Sequence, residues 1–207
     1  MNLRYLFPFV ILLILITFIY SFLDNSVKKE EYLKGVQKKR QEIIEYMEND
    51  PDSPFHKKEE IQYEGLNFFD IDPAFNVKAR IEKMQSPIPF DIQMTNGETA
   101  KYFKYAIAHF TIDNEPQELF LLKSDNFFDE PWLFLPFYDE TSADESYGGG
   151  RFLNVEYHDE EEIYIDFNLA YNPYCAYTDA YLCPIPPAEN KITVKVLAGE
   201  RNYKDHH

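Results

Sequence analysis

The residue types that could carry chemistry are concentrated in one part of the chain, between Tyr147 and Asn190. This stretch contains a triple glycine, both cysteines, a cluster of prolines and many Tyr, Asn and Asp side chains. Hydroxyl, amide and carboxylate groups can hydrogen-bond a ligand, and prolines stiffen the backbone that presents them. We therefore predict that a functional site, if the chain has one, lies in this stretch.

Three functions are compatible with these residues. The first is a binding module for a small ligand, with candidate binding residues Arg151, Asp166, Asn168, Tyr171, Asn172, Cys175, Tyr177, Cys183, Glu189 and Asn190. The second is a hydrolase-type enzyme that uses Asp166 or Glu189 as base and Cys175 as nucleophile. The third is a structural envelope protein in which the stretch only braces the fold. Binding and structure rank above enzyme, because no acid–base–nucleophile set is recognisable.

The two cysteines, Cys175 and Cys183, enclose seven residues. Outside the cytoplasm a disulfide is the default state of such a pair, and closing this loop would add about 2–3 kcal/mol of stability. A metal site is not expected, because the spacing is not Cys-x-x-Cys and no histidine follows Cys183 closely. A reactive thiol would need a base, for which His109 and His158 are the inner candidates.

The triple glycine, Gly148–Gly150, does not resemble a phosphate-binding loop, because no Lys-Ser/Thr pair follows it. It predicts a bend that lets two backbone segments approach closely before the next strand.

Residues 151–157 and 162–168 are predicted to form a hairpin. With a four-residue loop, Arg151 would lie on the same face as Leu153 and Asp166, because side chains alternate along each strand. A partly buried guanidinium needs an acceptor, so we predict an Arg151–Asp166 ion pair. The alternative is an Arg151 side chain that points to solvent beside the glycine bend.

The elements that must position this stretch are mainly β. From Ile61 onward, short apolar runs are separated by turns, and the predicted strands are Phe75–Met84, Ile88–Met94, Ala100–Ile112, Glu118–Lys123 and Trp132–Tyr138. The pair Asn96-Gly97 is a strong hairpin signal. The third strand is apolar on both faces, as in a barrel wall or sandwich centre. We predict a mainly β fold, an antiparallel small barrel or curled β-sandwich.

Two helical segments are predicted before the β-rich domain. Leu6–Leu23 contains eighteen residues without a charge, which is long enough for a tilted membrane helix. A cleaved signal peptide is the alternative, but no Ala-x-Ala-like cleavage site follows. Val27–Asn49 has the spacing of an amphipathic helix and is stopped by the Asp/Pro-rich run after it.

These patterns divide the chain into a transmembrane anchor (1–26), an amphipathic helix and linker (27–54), and a β-rich domain (55–207). The Lys and Arg residues after the apolar run favour a cytoplasmic domain. We predict that the domain lies on the extracytoplasmic side. Acidic residues are interspersed among those Lys and Arg residues, the domain itself is acidic, and a short tail before a single span is the usual layout of an exported, anchored domain.

The net charge of −16 argues against nucleic acid and against an anionic membrane surface as partners, because both select basic patches. The predicted partners are therefore the membrane, through the N-terminal helix, and a small-molecule ligand. The sequence identifies no cofactor and no protein partner.

Several strings in the stretch are distinctive, among them YGGGRFL, DFNLAYNPYCAY, CPIPPAEN and the closing AGERNY. With the upstream SPF and EGLNFFDIDPAFNVKA, they resemble the bacterial and archaeal family called domain of unknown function 1684. The resemblance covers roughly Tyr32 to Lys204 and implies no particular activity. Family members without export signals also keep both cysteines, which leaves open a role for the thiols other than a disulfide. The N-terminal anchor is a departure from those members.

Overall fold

The structure is a computed structural model that describes residues 3–57, 61–125 and 130–203. Within these residues the chain forms one long helix followed by six strands. The helix α1 spans Leu3–Asn49, and the strands are β1 Asn76–Gln93, β2 Thr99–Ile112, β3 Glu115–Ser124, β4 Trp132–Phe137, β5 Arg151–Glu156 and β6 Glu162–Asp166. Short 3-10 turns occur at Pro73–Phe75, Phe167–Leu169 and Tyr174–Ala176.

All strand pairs are antiparallel, and their order in the sheet is β5-β4-β3-β2-β1-β6. The sheet curls into a nearly closed barrel, and each strand places alternate apolar side chains on its inner face. That face holds the main core, which includes Ala108, Leu121, Leu135, Leu153 and Ile165. The prediction of a mainly β, antiparallel, barrel-like fold is confirmed.

The hairpin predicted at Asn96-Gly97 joins β1 to β2, and Gly97 has a φ of 84° there. Asp113 and Asn114 make the next turn with φ values of 51° and 65°. Two successive positive φ values match the right-handed twist of the flanking strands β2 and β3. The two strands predicted on either side of Pro87 are one strand, β1, with a register shift between Lys83 and Ile88.

The predicted pairing of residues 151–157 with 162–168 is wrong. β5 pairs with β4, and β6 pairs with β1, so the two strands lie at opposite ends of the sheet order. Leu153 and Ile165 both lie in the core, so the predicted shared face of Leu153 and Asp166 is also wrong. Alternation defines the face of a strand but not its neighbour, and the chain here crosses the open seam of the barrel.

The helix α1 ends at Asn49, as predicted, but it is continuous from Leu3 rather than two segments. Val36, Arg40 and Met47 are buried on the side of α1 that packs on the barrel. Among the residues described, no helix is long and apolar enough to cross a membrane. Most side chains of Leu6–Leu23 lie outside the described residues, so the membrane anchor stays a prediction.

Candidate functional site

Arg151, the first residue of β5, is fully buried. Its Nη2 donates to Asp139 Oδ1 at 3.1 Å and to the carbonyl of Val196 at 2.9 Å. Its Nη1 donates to the carbonyls of Ala198 and Glu200. The predicted burial of Arg151 is therefore confirmed, but the predicted pairing with Asp166 is wrong, because β5 and β6 are not neighbours.

Asp139 binds more than the guanidinium. Its carboxylate accepts from the backbone N–H of Thr141 at 3.1 Å and from that of Val196 at 2.8 Å. Burial lowers the pKa of Arg151, and the charge of Asp139 opposes that effect. The pair thus holds residues 196–200 against the ends of β4 and β5, which is a bracing function.

Gly150, the last residue of the triple glycine, is in close contact with two neighbouring segments just before Arg151. Its φ is 84°, and a Cβ atom there would lie 2.7 Å from Pro186 Cγ and 2.8 Å from the Phe137 carbonyl oxygen. Only glycine permits so close an approach in this backbone conformation. The predicted bend with a close backbone contact is present.

Glu200 is a second buried charged residue, with 1% of its surface exposed. It accepts a hydrogen bond from the Tyr177 hydroxyl at 2.6 Å and one from the Asn172 backbone N–H at 2.9 Å. Burial raises the pKa of Glu200 to about 7, while these two donors and Arg151 act in the opposite direction. Asn172 also donates from Nδ2 to the Arg201 carbonyl at 2.8 Å. Tyr177 and Asn172 therefore fix the C-terminal segment.

Asp166 and Asn168 connect the barrel to α1. Asp166 Oδ1 accepts from the Tyr32 hydroxyl at 2.9 Å and from Asn168 Nδ2 at 3.0 Å. The Asn168 carbonyl accepts two hydrogen bonds from Arg40, at 3.0 and 3.2 Å. This cluster docks the helix, because both Tyr32 and Arg40 belong to α1.

Asn190 lies between β3 and β4. Its Oδ1 accepts from the Phe120 N–H at 2.8 Å, and its Nδ2 donates to the carbonyls of Phe120 and Pro136 at 2.9 and 2.8 Å. One side chain thus hydrogen-bonds to both strands. The adjacent Glu189 is an exposed residue that accepts from Lys104 Nζ at 3.0 Å.

Cys175 and Cys183 form a disulfide, with their Cα atoms 6.3 Å apart, as predicted. Thr95 holds the loop from outside through its N–H to the Cys183 carbonyl at 3.0 Å. In the disulfide, Cys175 has no free thiol that could act as the predicted nucleophile. Among the described residues no group of three or more His, Cys, Asp and Glu side chains is arranged to hold a metal ion.

A cavity of about 520 Å³ opens between the end of α1, the outer face of β5 and the disulfide loop. We call it the tyrosine cavity, and its lining residues are Ile43, Tyr46, Met47, Phe152, Asn154, Tyr171, Pro173, Tyr174, Tyr181, Leu182 and Cys183. None of these residues carries a charge. The cavity is therefore suited to a neutral molecule with a large apolar surface.

Four polar groups in the wall are paired with one another. The hydroxyls of Tyr46 and Tyr174 lie 3.1 Å apart, and Asn154 Nδ2 donates to the Tyr171 hydroxyl at 3.0 Å. Burial raises the pKa of Tyr171 to about 12, and burial together with the Tyr46 hydroxyl raises the pKa of Tyr174. Both phenols consequently stay neutral at physiological pH.

Of the ten predicted binding residues, Tyr171 and Cys183 line the tyrosine cavity. The others do not, and most of them hold segments of the fold together. Prediction missed Tyr46, Tyr174 and Tyr181 among the lining residues. Tyr174 directly precedes Cys175, and Tyr181 precedes Cys183 by two residues, so their closeness to the cysteines was visible in the sequence. Tyr46 follows the apolar Ile43 by three residues on α1, which is helical spacing and was also visible.

Comparisons with known proteins agree with this architecture. The chain is similar to an uncharacterized protein of Haloarcula marismortui whose structure was solved by solution NMR. The two share 34% sequence identity and superpose with a TM-score of 0.67 over 86% of this chain and 98% of that one. No curated protein matches the chain. The family model described as protein of unknown function (DUF1684) matches residues 61–201, and the chain belongs to that family.

Proposed function

We propose that this protein is a membrane-anchored binding domain on the extracytoplasmic side, and that it takes a neutral, largely apolar ligand in the tyrosine cavity. The observation that carries the proposal is an uncharged cavity of about 520 Å³ in the stretch that sequence patterns single out. A volume of this size is typical of small-molecule sites.

The wall chemistry supports a neutral ligand. An ion placed there would lose its hydration without gaining a charged partner, which costs several kcal/mol. The buried side chains of Arg151 and Glu200 are already enclosed by their own hydrogen-bond partners, and neither residue lines the cavity. They are not available to bind an ion in the cavity.

A bracing role for the rest of the stretch is supported by a separate observation. Arg151, Asn168, Asn172 and Asn190 are fully buried and hydrogen-bonded to backbone segments from other parts of the chain. We propose that these residues hold the C-terminal segment and α1 in place, so that the cavity between them keeps its shape.

The binding proposal is tested with the full chain in lipid nanodiscs and the neutral fluorescent probe N-phenyl-1-naphthylamine. Leu182 lines the cavity and is 56% exposed, so Leu182→Arg should fold normally and place a charge at the opening. We expect this variant to bind the probe at least about tenfold more weakly, which corresponds to roughly 1.4 kcal/mol.

The matched control is Leu197→Arg, because Leu197 is 42% exposed and does not line the tyrosine cavity. This variant carries the same added charge in the same nanodisc. After the signal from empty nanodiscs is subtracted, its affinity for the probe should equal that of the parent. Equal binding by the parent and both variants would refute the proposed site and leave bracing as the role of the stretch.

A further inference from the structure

A second cavity, of about 570 Å³, lies on the outer face of the sheet beside the tyrosine cavity. We call it the strand cavity, and its lining residues are Tyr102, Leu122, Lys123, Ser124, Glu130, Trp132, Phe134 and Asn154. Asn154 lines both cavities. Because Leu153 and Val155 point into the core, Asn154 points outward between the two spaces.

The junction between the two cavities is built by β4 and β5. Phe134 and Asn154 are directly opposite each other in that ladder. The rings of Phe134 and Phe152 are in edge-to-face contact, with centroids 4.9 Å apart, and Asn154 is exposed to solvent. The junction is therefore a ridge formed by the exposed Asn154 and by the rings of Phe134 and Phe152.

A row of aromatic rings follows the same path. Tyr102 contacts Phe134 at 5.9 Å, Phe134 contacts Phe152 at 4.9 Å, and Phe152 contacts Tyr171 at 6.0 Å between ring centroids. The first two rings belong to the strand cavity and the last two to the tyrosine cavity. An apolar surface thus continues across the boundary.

We infer that the two cavities form one site for a linear hydrocarbon chain, such as an acyl or isoprenoid chain, laid across Asn154. The inference rests on the proposed function and extends it by naming the class of ligand. A sugar chain fits less well, because it needs hydrogen-bond partners along its length. Here the Tyr46–Tyr174 and Asn154–Tyr171 groups already bond to each other.

The charged lining residues indicate the orientation of the chain. Lys123 and Glu130 line only the strand cavity, whereas the lining of the tyrosine cavity is uncharged. A polar end group would therefore lie in the strand cavity, and the apolar end would enter the tyrosine cavity.

The test is a chain-length series of straight 1-alkanols, from hexanol to tetradecanol, that displace N-phenyl-1-naphthylamine from the full chain in nanodiscs. Free alkanol concentrations are fixed by dialysis against empty nanodiscs. Each added methylene that is buried should tighten binding by about fourfold. For the parent, we expect this gain to continue until the chain fills both cavities.

Asn154→Trp should obstruct the ridge, so that the gain stops at least about four methylenes earlier than in the parent. Tyr164→Trp is the matched control and should follow the parent, because Tyr164 is 65% exposed on β6 and lines neither cavity. Thermal melting of both variants checks their folding.

The inference is overturned, and the proposed function left intact, if the gain in affinity per methylene stops at the same alkanol length for the parent as for Asn154→Trp. A parent that binds neither probe nor alkanol overturns both.

Discussion

The Arg151 guanidinium is enclosed by one carboxylate and several backbone carbonyl oxygens, with no exposed surface. Its burial could be predicted from the apolar neighbours in the sequence, but its partner could not. Asp139 lies in the turn after β4, and it reaches Arg151 because Phe137 pairs with Arg151 in the β4–β5 ladder. That ladder is a long-range contact that side-chain alternation does not encode.

Asp139→Ala should therefore destabilise the protein by about 3–5 kcal/mol, because it leaves the buried Arg151 without its counter-charge. The measurement is chemical denaturation followed by tryptophan fluorescence. Asp144→Ala is the control, since the Asp144 side chain is 75% exposed and only loosely paired with Lys195 at 3.7 Å. A loss below about 1 kcal/mol for Asp139→Ala would show that the carbonyl oxygens alone hold the guanidinium.

Glu200 makes stability depend on pH. Burial raises its pKa from 4.5 to about 7 in the folded chain. Between these values the folded chain binds a proton that the unfolded chain has released. The free energy of unfolding should then fall as pH rises, by at most about 1.4 kcal/mol per pH unit.

Glu200→Gln should remove this contribution and flatten the stability curve between about pH 5 and pH 7, as judged by denaturation at each pH. Glu140→Gln, at a side chain that is 47% exposed, should leave the parent slope unchanged. Identical slopes for Glu200→Gln and the parent would contradict the assigned role of Glu200.

The helix α1 is held on the barrel by a small number of polar contacts from its inner face. Its end at Asn49 and its apolar spacing were predictable, since both depend on local sequence. Its docking contacts were not predictable, because Arg40 donates to the backbone carbonyls of Phe69 and Asn168. Every residue has a carbonyl group, so residue types do not identify which carbonyls are the acceptors.

Arg40→Ala should loosen this attachment, because it removes three hydrogen bonds to those carbonyls. We expect a loss of roughly 2–4 kcal/mol and faster amide exchange in the part of α1 that follows Tyr32. Lys39→Ala changes the adjacent, exposed side chain and should alter neither quantity. Unchanged exchange in the Arg40 variant would mean that apolar packing alone docks the helix.

At the scale of the whole molecule, composition and alternation were sufficient for the fold class, and the sheet is antiparallel and barrel-like as predicted. They were insufficient for the closing strands, because β5 and β6 are short and each pairs with a strand that is not its predicted partner. The tyrosine cavity includes Tyr171 and Cys183 of the predicted stretch, but part of its lining comes from α1, which only the tertiary fold brings there.

The proposed membrane anchor also concerns the whole molecule. We expect N-terminally tagged protein to stay in the membrane fraction with its tag intact. Leu13→Lys combined with Ile16→Lys should release it, since each central charge opposes insertion by about 2.5–3.5 kcal/mol. Both positions are exposed, so the barrel should fold normally in this variant. A soluble product that has lost its tag would instead identify a cleaved signal peptide.

The continuity of α1 has a consequence for where the ligand must be when it binds. Leu23 ends the apolar run, and Met47 lines the tyrosine cavity on the same helix. At a rise of 1.5 Å per residue, the helix separates these two positions by about 36 Å. If Leu6–Leu23 spans the bilayer, the helix acts as a fixed spacer. A hydrocarbon chain bound in the cavity would then have left the lipid entirely, and the protein would hold it away from the membrane surface.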